Sequence, residues 1–290
     1  MIHVRRGTEP PSLARAGTKG MASAIQAHTR HGPGSDELAA TLKGYDASGV
    51  KNALYLMQHK KCVWCERRRD QSSSPIEHYR PKDGAWRHRR EEPRTKIDAG
   101  HYWWLTWSWT NLYFACGRCN DKGHKGNYFR LEAGTKPPAR PPRKARAPLP
   151  QKYFDLASER PLLIHPAEED PMDHIAWRPV DKGQPRNLWT WSPKGLTSKG
   201  NETIFDLKLD ELADEVGDEI RRGVLRGIEE IDRYLAAGDS VAARDRWNTL
   251  LADELSPGSS LSAAKWCALE LWMPSKTRRL HGLASPVRPG

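Results

Sequence analysis

The sequence predicts an α+β protein, a small metal-stapled module embedded in a larger, mainly helical chain. Three observations carry this. Two C-x-x-C pairs, Cys62-Val-Trp-Cys65 and Cys116-Gly-Arg-Cys119, bracket a segment rich in His, Trp and Arg. Pro, Gly and Trp punctuate residues 151–200, which leaves room only for short strands. Beyond residue 210, Leu212, Val216, Ile220, Val224, Ile228, Ile231 and Leu235 recur at three- and four-residue steps, one apolar stripe along a long helix.

Taken in order, residues 1–54 read as an N-terminal arm and a helix. Residues 1–35 are rich in Gly, Pro and basic side chains, and residues 36–56 carry helical spacing through Leu38, Leu42, Val50 and Leu54. Residues 55–132 hold both cysteine pairs and form the chemical module. Residues 133–150 contain six Pro and five basic residues. Pro fixes φ and lacks the amide donor, so this stretch is an extended linker or a wrapping loop. Residues 151–205 form an irregular segment with short strands near 161–164 and 187–191. Residues 206–290 form a helical region. Gly238-Asp239 stops the striped helix and caps the next, and further helices cover 240–255 and 262–272. Cys267, in the last of these, reads as a small buried hydrophobe.

Composition narrows the function classes. The chain has 290 residues and 37% hydrophobic content, and no apolar run approaches the roughly 18 residues that span a bilayer. The start, MIHVRRGTEPPSLARAG, has no apolar core of a secretory signal. An odd count of five cysteines, without an export signal, points to a reducing cytoplasm and no membrane. Twelve Trp argue against wholesale disorder. Residues 1–150 carry 28 basic and 13 acidic side chains, whereas residues 151–290 carry 19 and 23. The basic excess lies in the first half and suits a polyphosphate partner, because each neutralised phosphate releases condensed counterions.

Doubled C-x-x-C spacing predicts one structural Zn²⁺ held by Cys62, Cys65, Cys116 and Cys119. Four thiolates close the tetrahedron, so such a metal staples the fold and leaves no open position for chemistry. Between the knuckles stand Ile76-Glu77-His78-Tyr79-Arg80-Pro81-Lys82 and Asn111-Leu112-Tyr113-Phe114-Ala115, and Asn120, Lys122, His124 and Lys125 follow the second knuckle. A helix starting near Asn120 would set Asn120 and His124 on one face, towards an antiparallel hairpin carrying Glu77 and His78. Adjacent strand residues face opposite ways, so Glu77 and His78 converge only at a strand end or bulge. Arg80, Lys82, Lys122 and Lys125 surround the motif as candidates for flanking phosphates of nucleic acid. Trp103, Trp104, Trp107 and Trp109 read as core before they read as base-stacking platforms. His59, His101, His165 and His174 lack ligand spacing, and Glu168, Glu169, Asp170 and Asp173 read as a helix start.

The order C-x-x-C, Glu-His, Asn, C-x-x-C-Asn resembles the HNH endonuclease superfamily, with its ββα-metal (His-Me) finger. The stretches MIHVRRGTEPPSLAR, IEHYRPK, YWWLTWSWTNLYFACGRCNDKG, LLIHPAEEDPMDHIAW and KGNETIFDLKL resemble one branch, the PtuB-like proteins of Septu anti-phage defence and the HNH proteins of retron systems. The resemblance implies His78 as general base, Asn111 as the residue holding the loop that aims it, and Asn120 and Glu77 as ligands of a catalytic Mg²⁺ or Mn²⁺, with His124 as a third ligand. It also implies hydrolysis of nucleic acid, DNA first, and gating by a PtuA-type ATPase. The residue types suit that chemistry: a neutral imidazole takes a proton near pH 7, and carboxylate and amide oxygens favour a hard cation. Two rival readings are a catalytically silent zinc module that binds nucleic acid and recruits another enzyme, and a restriction-type HNH enzyme.

Overall fold

Pro10 and Pro11 open the first helix of the computed structural model, which describes residues 1, 3–92 and 97–290. Residues 93–96, inside the segment joining His78 to Asn111, lie outside the described residues. Contacts divide the chain into two units. One comprises residues 6–60 and 69–165, the other residues 1–5, 61–68 and 166–290.

In the first unit, α1 (Pro11–His31) occupies most of the stretch whose composition suggests an arm. Proline at the first turn has no amide to waste, and Gly32 at φ +92° closes the far end by donating to the His28 carbonyl. The glycines that read as loop residues serve packing instead. A Cβ at Gly20 would lie 2.2 Å from the Trp107 ring, so only glycine lets the indole lie on the helix. The helix expected over 36–56 is two helices, α2 (Asp36–Thr41) and α3 (Val50–Met57). Gly44 and Gly49, both at positive φ, break the run between them. Ser35 starts α2 by accepting from the Leu38 amide at 3.2 Å.

β1 (Ile76–His78) comes next, then β2 (Ala85–Trp86) paired antiparallel with β3 (Ile97–Asp98). β4 (Leu112–Phe114) pairs antiparallel with β1, setting Ile76 against Phe114, Glu77 against Tyr113 and His78 against Leu112. Gln58 covers the other side of β4, donating to the Phe114 carbonyl and accepting from its amide, both at 2.8 Å. The short α4 (Gly117–Asn120) follows, so a ββα order runs from β1 through β4 to α4. Trp103 and Trp104, each 1% exposed, lie in an aromatic core with Tyr79, Tyr102 and Phe129. Residues 133–150 form neither helix nor strand. They wrap rather than dangle: the Pro138 carbonyl bonds His101 Nε2 at 2.9 Å, and Arg143 donates to the Thr29 and Arg30 carbonyls at the end of α1.

In the second unit, Asp170 caps α5 (Pro171–His174) through the Met172 amide, as the acidic cluster predicts. The strands stand at β5 (Ile175–Pro179) and β6 (Trp191–Gly195), an antiparallel pair, rather than at 161–164 and 187–191. Pro161, which belongs to the first unit, forms an isolated bridge to Leu131 of that same unit. Thr197 caps α6 (Ser198–Leu207), a helix inside the segment expected to be irregular. The apolar stripe then runs through α7 (Ala213–Ile220), a π turn (Arg221–Leu225) and α8 (Arg226–Ala236). Leu212, Val216, Ile220, Val224, Ile228 and Ile231 are all buried. Repeated four-residue steps drift about 40° each around an α-helix. The wider π turn takes up that drift and keeps the stripe on one face. Gly238 at φ +74° ends α8, and Asp239 accepts from the Ala242 amide at 2.9 Å to start α9 (Ser240–Glu254). α10 (Ser262–Trp272), with Cys267 buried in it, and α11 (Ser275–His281) complete the unit. Among the described residues no helix is long and apolar enough to cross a membrane.

Candidate functional site

The four knuckle cysteines are buried and free of disulfides, and their sulfurs lie within 4.8 Å of one another. Four sulfurs about 2.3 Å from one tetrahedral ion stand roughly 3.8 Å apart, so the donor set fits Zn²⁺ in number, chemistry and spacing. Arg67 Nε donates to Cys65 Sγ at 3.5 Å, the kind of outer contact that steadies a thiolate.

A separate cavity of about 220 Å³ opens beside β1, lined among others by Tyr45, Glu77, His78, Lys82, Asn120, Lys122 and Asn127. His78 is the last residue of β1, and from this strand end it shares the cavity wall with its neighbour Glu77. The His78 Nε2 lies 3.0 Å from the Thr106 carbonyl. A carbonyl only accepts, so Nε2 carries the proton and Nδ1 keeps its lone pair. Burial pushes the imidazole down to about 3, against the Thr106 bond and with help from the Lys82 and Lys125 charges, so the ring is neutral at pH 7. Tyr45 meets its face edge-on, with centroids 4.6 Å apart.

Asn111 is buried and fully engaged. Its Oδ1 accepts from the Arg80 amide at 2.8 Å, and its Nδ2 donates to the carbonyls of Arg80 at 3.0 Å and Leu105 at 3.3 Å. It thereby ties the chain just beyond His78 to the stretch that supplies Thr106. Glu77 is 3% exposed, and burial raises its carboxyl above the usual range despite the Lys125 ammonium at 2.5 Å. Lys125 Nζ also donates to the His78 carbonyl at 2.6 Å. Glu77 and Asn120 offer hard oxygens at one cavity, with room for waters and a phosphate. That set fits Mg²⁺ or Mn²⁺, which bind through one or two protein oxygens and keep water. A lysine hydrogen-bonded to a ligating carboxylate suits the outer layer of such a site.

Several expected placements differ. Asn120 ends α4 rather than starting a helix, and residues 121–127 turn. His124 is therefore not one helical turn above Asn120, and it does not line the cavity. Arg80 and Lys125, expected to face phosphates, are 5% and 1% exposed. Each is committed to a carboxylate: Arg80 Nε donates to Glu159 at 2.6 Å, and Lys125 donates to Glu77. Burying an unpaired cation costs several kcal/mol, so each stays with its partner. Lys82 and Lys122 do line the cavity, and Lys82 also bonds Asp83 at 2.9 Å. Sequence reasoning missed Tyr45, Thr106 and Glu159. Thr106 acts through its backbone, which leaves no signal in residue type, and Glu159 reaches Arg80 across 79 positions.

The chain is 30% identical over 179 residues to a protein named Septu protein PtuB from Bacillus mycoides (strain KBAB4), covering 61% of this chain and 55% of that protein. It is 26% identical over 165 residues to a protein of the same name from Bacillus thuringiensis, covering 56% and 42%. The chain spans about half the length of these curated relatives. No family model matches the chain. No solved structure matches it.

Proposed function

We propose that this chain is a metal-dependent HNH endonuclease of the ββα-metal type that hydrolyses phosphodiester bonds of nucleic acid, DNA first. The observation that carries the reading is the shared cavity of Glu77, His78 and Asn120, with a neutral imidazole whose Nε2 is already spent on Thr106. His78 Nδ1 is the general base that takes a proton from the attacking water. Asn111 is a positioning residue: it fixes the Arg80 backbone and with it the end of β1. Glu77 and Asn120 hold the ion, and Lys125 orients the Glu77 carboxylate. Lys82 and Lys122 meet the phosphates beside the scissile bond. When bound, Mg²⁺ or Mn²⁺ supplies charge stabilisation at the phosphate and leaving oxygens.

The likeness to proteins named Septu PtuB supports the setting, an effector of Septu-type anti-phage defence gated by a PtuA-type ATPase. The test is incubation of the protein with plasmid and Mg²⁺ or Mn²⁺, with and without the co-encoded ATPase, beside His78→Ala. Cutting by the wild type and about a thousandfold less by the variant is the expected result. Equal cutting by both overturns the role of His78. One observation favours a second reading: the Lys125 ammonium already satisfies Glu77, as it would in a catalytically silent nucleic-acid-binding module. No cutting under any of these conditions, with DNA binding retained, selects that reading.

A further inference from the structure

Residues 134–150 carry Lys136, Arg140, Arg143, Lys144 and Arg146, all exposed, and no acidic residue. Two contacts anchor this segment, here called the strap, within its own unit. The buried His101, itself 2.8 Å from Asp98, bonds the Pro138 carbonyl, and Arg143 reaches two carbonyls ending α1. Six Pro further restrict the backbone. Lys136, Lys144 and Arg146 are thus presented on a backbone that is ordered before any partner arrives, which lowers the entropic cost of binding one.

The strap also contacts residues next to a cavity that shares part of its wall with the Glu77–His78 cavity. Arg140 lies against Gly100, where an added Cβ would fall 2.1 Å from its Nη1, and 3.6 Å from Asp98. Between those two residues, Ala99 lines a second cavity of about 180 Å³ whose wall includes Lys82 and Asp83. Lys82 and Asp83 line the Glu77–His78 cavity as well. The strap is thus linked to Lys82 through shared neighbours, Asp98, Ala99 and Gly100.

We propose that the strap is an exosite for the sugar–phosphate backbone of nucleic acid, holding the substrate beyond the scissile linkage. The proposal rests on the reading of nucleic acid as substrate but not on cleavage. No acidic residue lies within the strap, and although Arg140 stands 3.6 Å from Asp98, Lys136, Lys144 and Arg146 are exposed rather than buried on carboxylates as Arg80 and Lys125 are. That pattern suits a regular polyanion.

The test is binding of a labelled 30-base-pair DNA duplex, and of an RNA duplex, to the full protein without divalent metal across a salt series. The strap variant is Lys136→Gln/Lys144→Gln/Arg146→Gln, which leaves the anchors His101 and Arg143 in place. The control is Arg222→Gln/Arg226→Gln/Arg233→Gln, the same loss of charge from exposed positions on the striped helix. The strap variant is expected to bind at least tenfold more weakly at about 0.1 M salt, with a log–log salt slope shallower by about two to three. The control stays near wild type, and both variants keep the wild-type melting temperature. Wild-type affinity and slope in the strap variant overturn the exosite, as does an equal loss in the control. Failure of the wild type to bind either duplex also overturns it. Polyglutamate that binds as tightly as DNA through the same three residues assigns the strap to an acidic protein instead. Because binding is read without metal, the experiment runs equally on His78→Ala, and failure of the nuclease reading is seen separately.

Discussion

The helices over 198–281 and the site region over 76–129 are held by different physics. In the helical region an apolar stripe of six side chains between Leu212 and Ile231 is buried along one face, and Thr197 and Asp239 cap the helices that start at Ser198 and Ser240. The site region has strands of two or three residues. Its order comes from buried polar ties: Asn111 on Arg80 and Leu105, Arg80 on Glu159, Lys125 on Glu77, His78 on Thr106. A stripe shares its energy among many small contacts. A tie concentrates it in one partner, whose loss leaves a buried charge or donor exposed to nothing. The first kind of region tolerates truncation gradually, and the second fixes atoms closely enough for chemistry.

The sharpest way to break this contrast is at the cysteines. Cys116→Ser is expected to remove one equivalent of zinc, measured by elemental analysis, and to collapse the soluble yield, because ligation and folding are coupled. Retention of both metal content and melting temperature would sink the idea of a metal staple. Next in size is Glu159→Ala. It strands the Arg80 guanidinium, which is 5% exposed and bonded to Glu159 at 2.6 Å. The expected cost is about 3–5 kcal/mol in urea denaturation. Adding Arg80→Met to Glu159→Leu should recover much of it, since an apolar pair leaves no charge unpaired. A single-variant cost below about 1 kcal/mol would show that ties of this kind do not hold the site region.

The same contrast explains what could be read in advance. Spacing placed the striped helix and the helix over 262–272, and turn chemistry placed the stop at Gly238 and the cap at Asp239, because a stripe repeats and a cap is local. Cysteine spacing brought Cys62, Cys65, Cys116 and Cys119 together across a long insertion, because a metal's ligand set is written in residue type. The order of Glu77, His78, Asn111 and Asn120 was legible, and the structure lines one cavity with three of the four. What stayed hidden was whom each charge meets. Nothing in IEHYRPK distinguishes Arg80, which is buried on Glu159, from Lys82, which lines the cavity. The glycines of α1 misled for a related reason: their use is a close approach to Trp107, a contact 87 positions from Gly20 that composition does not encode.

Within the stripe, Ile228→Ala should cost about 3 kcal/mol, since the side chain is 0% exposed and its removal leaves a cavity. The comparison is sharpened by what should not change. Under the proposed nuclease reading, plasmid cleavage at saturating DNA, well below the lowered melting temperature, should match wild type, because no group lining the site cavity lies on α8. A cleavage defect larger than the folded fraction accounts for would show that the two kinds of region are coupled.

The smallest effect is at a helix boundary. Asp239 Oδ1 accepts from the Ala242 amide at 2.9 Å, one of the unpaired donors that open α9. Asp239→Ala removes that acceptor and should cost about 1 kcal/mol. Asp239→Asn keeps an acceptor oxygen at the same reach and should cost little. The pair of variants separates the hydrogen bond from the favourable charge at a helix N-terminus, which both variants lose. If Asn costs as much as Ala, charge rather than capping geometry starts α9, and the local signal read from Gly238-Asp239 has a different physical origin from the one assigned to it.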